Sequence, residues 1–244
     1  MKKGYLHIAT NSVNMMYNYR EKFLKDAIKK YNINYVLSHR LDTELRYGES
    51  YSLLSQNSSN PGRVALVQDF FKVVGVLLRH PNHWVVFTAR NILLFGLASR
   101  FTFTKLNIAY YAGLGKGMSA ESMTSSTGKM LFWRFALKNY QTVYCLNHRD
   151  KSLLDLMHSN VEFIRGEGFD LAVKAPSDTS HTYQYDFGFV GRFTPEKGGR
   201  DFIAFARKNP ASSFVIFGEI ETQLVSDVNI LSNVFVMGFV ADKD

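Results

Sequence analysis

The sequence predicts an α/β protein built on parallel sheets, and three observations carry that prediction. Short apolar runs alternate with helically spaced segments from end to end, the order that crossover connections turn into a parallel sheet. A polar, aperiodic stretch from Pro176 to Tyr185, PSDTSHTYQY, interrupts the alternation. The charge balance changes at the same place: residues 1–180 hold 23 Lys and Arg against 13 Asp and Glu, a net of +10, whereas residues 181–244 hold 6 against 8, a net of −2. Two domains follow, 1–180 and 181–244.

In order, Tyr5 to Ala9 is an apolar run that reads as a strand, and Asn18 to Tyr31 places Phe23, Leu24, Ala27 and Ile28 at helical spacing among Lys and Glu. Tyr35 to Ser38 reads as a strand, and His39 to Arg63, with Asn60-Pro61-Gly62, as a loop. Val64 to Arg79 is helical and stops at His80-Pro81-Asn82. The β-branched and aromatic run His83 to Thr88 is a strand, and Asn91 to Thr102 a helix. Asn107 to Ala112 is a strand closed by Gly113-Leu114-Gly115-Lys116-Gly117. Then come a helix at Lys129 to Asn139, a strand at Thr142 to Leu146, a helix at Lys151 to His158 and a strand at Val161 to Arg165. Beyond the linker, Phe187 to Val190, Ser213 to Phe217 and Val234 to Val240 are strands, with a helix at Arg200 to Lys208. This second unit has 64 residues, few for an independent doubly wound domain.

Composition bounds the function. Hydrophobic residues make up 46% and charged residues 20%, values of a globular chain with a real core. The basic first part favours anionic membranes, phosphorylated ligands or nucleic acid. Its Lys and Arg are scattered singly, and no zinc-finger, RNP or basic-zipper pattern is present, so nucleic acid is not expected as a partner. Cys145 stands alone, which rules out an intramolecular disulfide or a cysteine metal site and agrees with a reducing cytoplasm. Met1-Lys2-Lys3 is followed by text too polar for a signal peptide, and no apolar stretch reaches the roughly 20 residues of a membrane span.

The sharpest chemical signal is FGFVGRFTPEKGGRDFIAFA, residues 187–206, where a strand runs through Gly191, Arg192, Glu196, Lys197, Gly198 and Gly199 into a helix. Glycines admit a phosphate close to the backbone, the helix start offers N–H groups and the positive end of its dipole, and Arg192 and Lys197 add two cations. A diphosphate fits such a turn. A tight strand-to-helix connection with a surface Arg and Lys accounts for the same residues. The turn at Gly113–Gly117 has neither dinucleotide-fingerprint nor Walker spacing and reads as structural.

The phrase GRFTPEKG (191–198) resembles the phosphate-binding segment of glycosyltransferase family 4, which reads Gly-Arg, a short spacer, then Glu-Lys-Gly. GEGFDLAVKAPS (166–177) resembles the stretch by which that family leaves its first domain. NHRDKSLL (147–154) is similar to the Asn-x-x-Asp segment of a subset building bacterial surface polysaccharides, and FGLASRF…IAYYAGLGKGMSAES (95–122) resembles the same subset. The resemblance implies a GT-B fold: a Rossmann-like N-terminal acceptor domain, 1–180, and an incomplete Rossmann-like nucleotide-sugar domain, 181–244. It implies a glycosyltransferase that retains anomeric configuration, moving a sugar from a nucleotide sugar, commonly a UDP-sugar, to a lipid-linked or glycan acceptor in surface-polysaccharide biosynthesis. No cofactor or metal is implied, and the expected location is cytoplasmic, peripheral on the inner face of the cell membrane. Gly191, Arg192, Lys197 and Gly198 match the family's donor-diphosphate segment; Gly113, Gly115, Lys116, Glu121, Asn147 and Asp150 fall on loops of the acceptor side. Glu121 and Asp150 there could bind sugar hydroxyls or be solvated loop carboxylates.

Two departures qualify the match. The first loop, Thr10 to Asn14, lacks the Gly-Gly that many members place near the donor phosphates. The family's Glu-x7-Glu segment, which contacts donor sugar and ribose, lies beyond the equivalent of GFVADKD; the nearest spacings, Glu162/Asp170 and Glu219/Asp227, stand in a different context. The donor site is therefore expected to be incomplete, no catalytic residue is assigned, and a truncated homologue acting as a binding or partner-dependent subunit is the alternative. Among other candidates, His80 and His83 beside Pro81 read as a surface turn rather than a metal pair. His7 reads as a structural strand histidine. Phe132, Trp133 and Phe135 read as core, with a membrane-facing patch alongside Arg134 and Lys138 as the other reading.

Overall fold

A computed structural model describes residues 4–37, 43–54, 63–114, 126–166 and 184–239. The chain divides into two compact units, residues 1–170 and 171–244; the expected boundary at 180 falls within 167–183, outside the described residues.

The first unit is a seven-stranded, all-parallel sheet. Its strands are β1 (Gly4–Thr10), β2 (Tyr31–Leu37), β3 (Ser50–Leu53), β4 (Trp84–Phe87), β5 (Leu106–Tyr111), β6 (Tyr140–Cys145) and β7 (Val161–Phe163), in the order β3-β2-β1-β4-β5-β6-β7. The described helices between them are α1 (Val13–Lys30), α2 (Arg63–Arg79), α3 (Ala89–Thr102), α4 (Thr127–Leu137) and α5 (His148–Asp155). The strand order reverses between β1 and β4, the topological switch point of a doubly wound sheet.

Strand alternation divides the core in two. Ala9, Val36, Trp84 and Val86 pack with Val73 and Leu77 of α2, Ile92 and Phe95 of α3, Leu137 of α4 and Leu154 of α5. Their neighbours Ile8, Tyr35, Leu37, Val85 and Phe87 turn the other way, onto Val13, Met16, Tyr17 and Leu24 of α1. α2, α3, α4 and α5 therefore cover one face, and α1 packs on the other. Gly96 of α3 lets that helix approach α4: a Cβ there would overlap the Ala136 carbonyl oxygen and stand 3.2 Å from Tyr140 Cε2.

Several boundaries differ from the sequence reading for local reasons. α1 begins at Val13, five residues earlier than expected, because the Ser12 hydroxyl caps it by accepting from Met15 N at 3.0 Å. Tyr31 opens β2 in an extended conformation instead of closing the helix. The segment read as a loop contains β3, a four-residue edge strand paired with β2.

The second unit is a three-stranded parallel sheet, β10-β9-β8, of β8 (Phe187–Val190), β9 (Phe214–Phe217) and β10 (Val234–Gly238), with α6 (Gly199–Lys208) and α7 (Thr222–Asn229) as crossovers. Its core is Phe193, Ile203, Ile216, Leu224 and Val228, edged by Phe189 and Phe202 in T-shaped contacts with Phe193.

Candidate functional site

The glycine-rich turn of the second unit lies where ligands of parallel sheets bind, outside the carboxyl end of a strand. β8 ends at Val190, and Gly191 follows at φ 129°, a conformation that side chains rarely adopt. Gly191 N donates to Phe217 O at 2.8 Å and Phe193 N to Glu219 O at 2.8 Å, so the turns after β8 and β9 are laced together. Phe193 drops into the core, fully buried, and anchors the turn. A one-turn 3-10 helix, Pro195–Lys197, leads to Gly198 at φ 88° and then into α6. Gly199 fits because nothing larger does: a Cβ would stand 2.8 Å from Leu224 Cδ1 and 3.0 Å from Thr194 O.

The result is a helix start without a side-chain cap, and Arg192 and Lys197 sit exposed on the turn that precedes it. Neither is ion-paired to a described residue. The amides of Lys197, Gly198 and Gly199 donate to the Thr194 and Pro195 carbonyls, and Asp201 lies in the first turn, so what the helix start can offer a compact anion such as a diphosphate is the positive end of a ten-residue helix with Arg192 and Lys197 beside it.

In the first unit the switch point carries a polar set. Asn11 follows β1, and its Oδ1 accepts from Asn91 Nδ2 at 3.1 Å and Thr88 Oγ1 at 3.5 Å. Asn91 is fully buried at the start of α3, and Thr88 takes φ 70°, ψ 138°, costly for a β-branched residue by about 1–3 kcal/mol. Ser12 caps α1 beside them. Behind this set Asp69 of α2, almost wholly buried, binds Arg90 of α3 at 2.7 Å. Sequence reasoning passed over Thr88, Asn91 and the Asp69–Arg90 pair. A strained φ and a pairing across 21 residues leave no mark in local pattern.

The acceptor-side candidates fare unequally. Gly115, Lys116 and Glu121 lie outside the described residues; Gly113 is in the bend after β5. Asn147 and Asp150 hold each other: Asn147 Oδ1 accepts from Asp150 N at 2.7 Å, and Asn147 Nδ2 donates to the Asp150 carboxylate at 2.9 Å. This reciprocal cap starts α5 and explains the Asn-x-x-Asp spacing without a ligand. Cys145 is buried, and burial raises its thiol pKa, which disfavours the thiolate.

His7 lies in the middle of β1, away from the carboxyl edge, 3% exposed, with its ring 4.7 Å from Trp84 and 4.6 Å from His80. Burial, then the charges of His80 and His83, pushes its pKa down to about 4, so the ring is neutral at pH 7 and Asn34 Nδ2 lies 3.1 Å from its Nδ1. No group of three His, Cys, Asp or Glu among the described residues could hold a metal ion. On α4 the expectation of core is corrected. Trp133 packs against the core, but Phe132 and Phe135 are each 46% exposed because they fall on the helix side turned from the sheet.

No protein-family model matches this chain, and no curated protein matches it by sequence. Solved structures do match. Anabaena HepE, in complex with UDP and glucose, aligns at TM-score 0.61 and 17% identity over 98% of this chain and 70% of its own. WaaG, a glycosyltransferase of lipopolysaccharide biosynthesis, aligns at TM-score 0.63 and 10% identity, over 97% and 70%. The fold is GT-B. The chain spans about 70% of the length of these proteins. A Neisseria meningitidis UDP-GlcNAc 2-epimerase bound to UDP-GlcNAc also shares the architecture, at TM-score 0.53 and 12% identity over 99% of this chain and 73% of its own. At such identities the likeness establishes architecture and leaves chemistry to the residues.

Proposed function

We propose that this GT-B chain is a sugar-nucleotide-dependent glycosyltransferase of the family 4 type that uses a UDP-sugar and a lipid-linked or glycan acceptor of bacterial surface-polysaccharide assembly, with retention at the anomeric carbon. The observation that carries the reading is the turn from β8 to α6: two glycines at positive φ, a helix start without a side-chain cap, and Arg192 and Lys197 exposed and without ionic partners among the described residues. In this reading the turn receives the donor diphosphate. Arg192 and Lys197 offset the charge that builds on the departing nucleotide as the glycosidic bond breaks, an electrostatic task in which placement matters more than proton transfer. Asn11, Ser12 and Thr88, at the switch point of the first unit, offer the polar contacts a sugar or phosphate of the acceptor would use.

The epimerase likeness favours a second reading, in which the same turn serves interconversion at C2 of a UDP-sugar. Incubating the chain with UDP-glucose or UDP-GlcNAc and a polyprenyl-diphosphate-linked sugar, followed by mass spectrometry, separates them. Transfer gives a lengthened glycolipid and free UDP. Epimerisation gives an isomeric UDP-sugar without acceptor. Nucleotide binding with neither product assigns the chain to a donor-binding subunit, and absence of binding by the folded chain overturns the proposal.

A further inference from the structure

Three residues other than glycine take a positive φ among the described residues: His83, Thr88 and Phe103. Thr88 belongs to the switch point. The other two come from different loops and line one groove of about 450 Å³. Its walls are Pro81 to His83 ahead of β4, Thr102 to Lys105 between α3 and β5, Asn107 of β5 and Gln141 of β6, so it opens at the amino ends of three adjacent strands. The switch point lies at their carboxyl ends. Phe103 ends α3 at φ 55°, ψ 22°, a place that glycine or asparagine usually takes because a side chain crowds the backbone there. Packing could offset that cost, yet the ring is 91% exposed. His83, at φ 60°, is exposed as well. Strain that packing does not offset, at two points of one groove, points to a ligand.

The remaining wall is polar and held in place. Asn107 Oδ1 accepts from Trp84 N at 2.8 Å, and Asn107 Nδ2 donates to Gln141 Oε1 at 3.1 Å, so amides are fixed in a row across the starts of β4, β5 and β6. Gln141 Nε2, the Asn82 amide and the Lys105 ammonium have no partner among the described residues. The groove thus joins a bare aromatic face to neutral amides that both donate and accept. A pyranose has the matching chemistry: a flat C–H face to lie on a ring, and uncharged hydroxyls that donate and accept. A phosphate or carboxylate would call for paired cations, and an apolar ligand would leave the amides unpaired. From β4 to β6 is two strand spacings, about 9.5 Å, longer than one sugar ring or one base.

We propose that this groove binds a neutral oligosaccharide, at a second site apart from the switch point. It goes beyond the function proposed above and rests on that reading only for its purpose, keeping a glycan on the protein. Saturation-transfer NMR on the full chain, without nucleotide, tests it with maltotriose, cellotriose and chitotriose. Sorbitol, which has hydroxyls but no ring face, and uridine are the comparators. At least one trisaccharide should bind at up to about 10 mM, and neither comparator should match it. Phe103→Gly removes the ring and suits the backbone, so it should raise Tm while weakening binding tenfold or more; Phe103→Trp should keep binding. Asn82→Ala/Gln141→Ala should weaken it tenfold at unchanged Tm. UDP affinity, titrated separately, should be the same in every chain, so failure of the donor site and failure of this groove are distinguishable. No trisaccharide binding, equal binding of sorbitol or uridine, or binding that Phe103→Gly retains overturns the proposal. Self-association of the parent chain that Phe103→Gly abolishes, without saccharide binding, would give the ring to a second copy instead.

Discussion

Gly96→Ala should destabilise the first unit although alanine is the better helix former. Gly96 sits inside α3, where alanine gains about 1 kcal/mol in intrinsic propensity. Its new methyl would overlap the Ala136 carbonyl oxygen, approach Ala136 C to 3.0 Å and Tyr140 Cε2 to 3.2 Å. The first two are backbone, and Tyr140 is pinned by its hydroxyl, which donates to Ile92 O at 2.9 Å, so no flexible side chain can yield. Overpacking of that kind costs about 1–3 kcal/mol, and these rigid neighbours put it at the upper end. The net loss is about 2 kcal/mol, or roughly 4–8 °C in Tm for a chain of this size. Gly75→Ala on α2 is the control: nothing lies within 4 Å of its Cβ position, so the propensity gain should stand alone and raise stability by up to about 1 kcal/mol. Tryptophan emission during urea or thermal unfolding is the assay, because both tryptophans, Trp84 and Trp133, belong to the first unit. A Gly96→Ala chain as stable as the parent would refute the helix packing described.

Two further outcomes follow from the same contacts. With its folded pKa about 4 against 6.5 for the free imidazole, His7 binds fewer protons folded than unfolded between those values, so its contribution is complete above about pH 6.5 and lost as pH falls toward 4. The loss is at most about 3 kcal/mol, read at Trp84, whose ring stacks on His7; His7→Gln should flatten that part of the pH–stability curve, and an unchanged curve would contradict the burial. Asn147→Ala should remove the cap of α5 at a cost of about 1 kcal/mol, read as a lower urea or thermal midpoint, and a chain as stable as the parent would contradict the cap.

Alternation of strand and helix was legible because its period survives in apolar text: β8 falls at Phe187–Val190 as read, and α2 within a residue. β3 was not legible, since Ser50-Tyr51-Ser52-Leu53 is short, half polar and stabilised by pairing with β2. α7 was missed for a related reason: Thr222 to Asn229 spans eight residues and buries only Leu224 and Val228. At the candidate site the glycine turn announced itself through Gly191, Gly198 and the two cations. The polar set at the switch point of the first unit did not, because Asn11, Thr88 and Asn91 meet only once distant strands pair. Phe132 and Phe135 were misplaced because aromatic residues on a helix read as core until the orientation of α4 shows which side faces the sheet.

The central claim is that the turn between β8 and α6 receives a nucleotide diphosphate, and isothermal titration of the chain with UDP tests it most directly. The account predicts measurable binding by the parent chain and a loss of tenfold or more in both Arg192→Ala and Lys197→Ala, each charged contact carrying about 1.5–3 kcal/mol. Binding that both variants retain would place the nucleotide elsewhere and contradict the assignment.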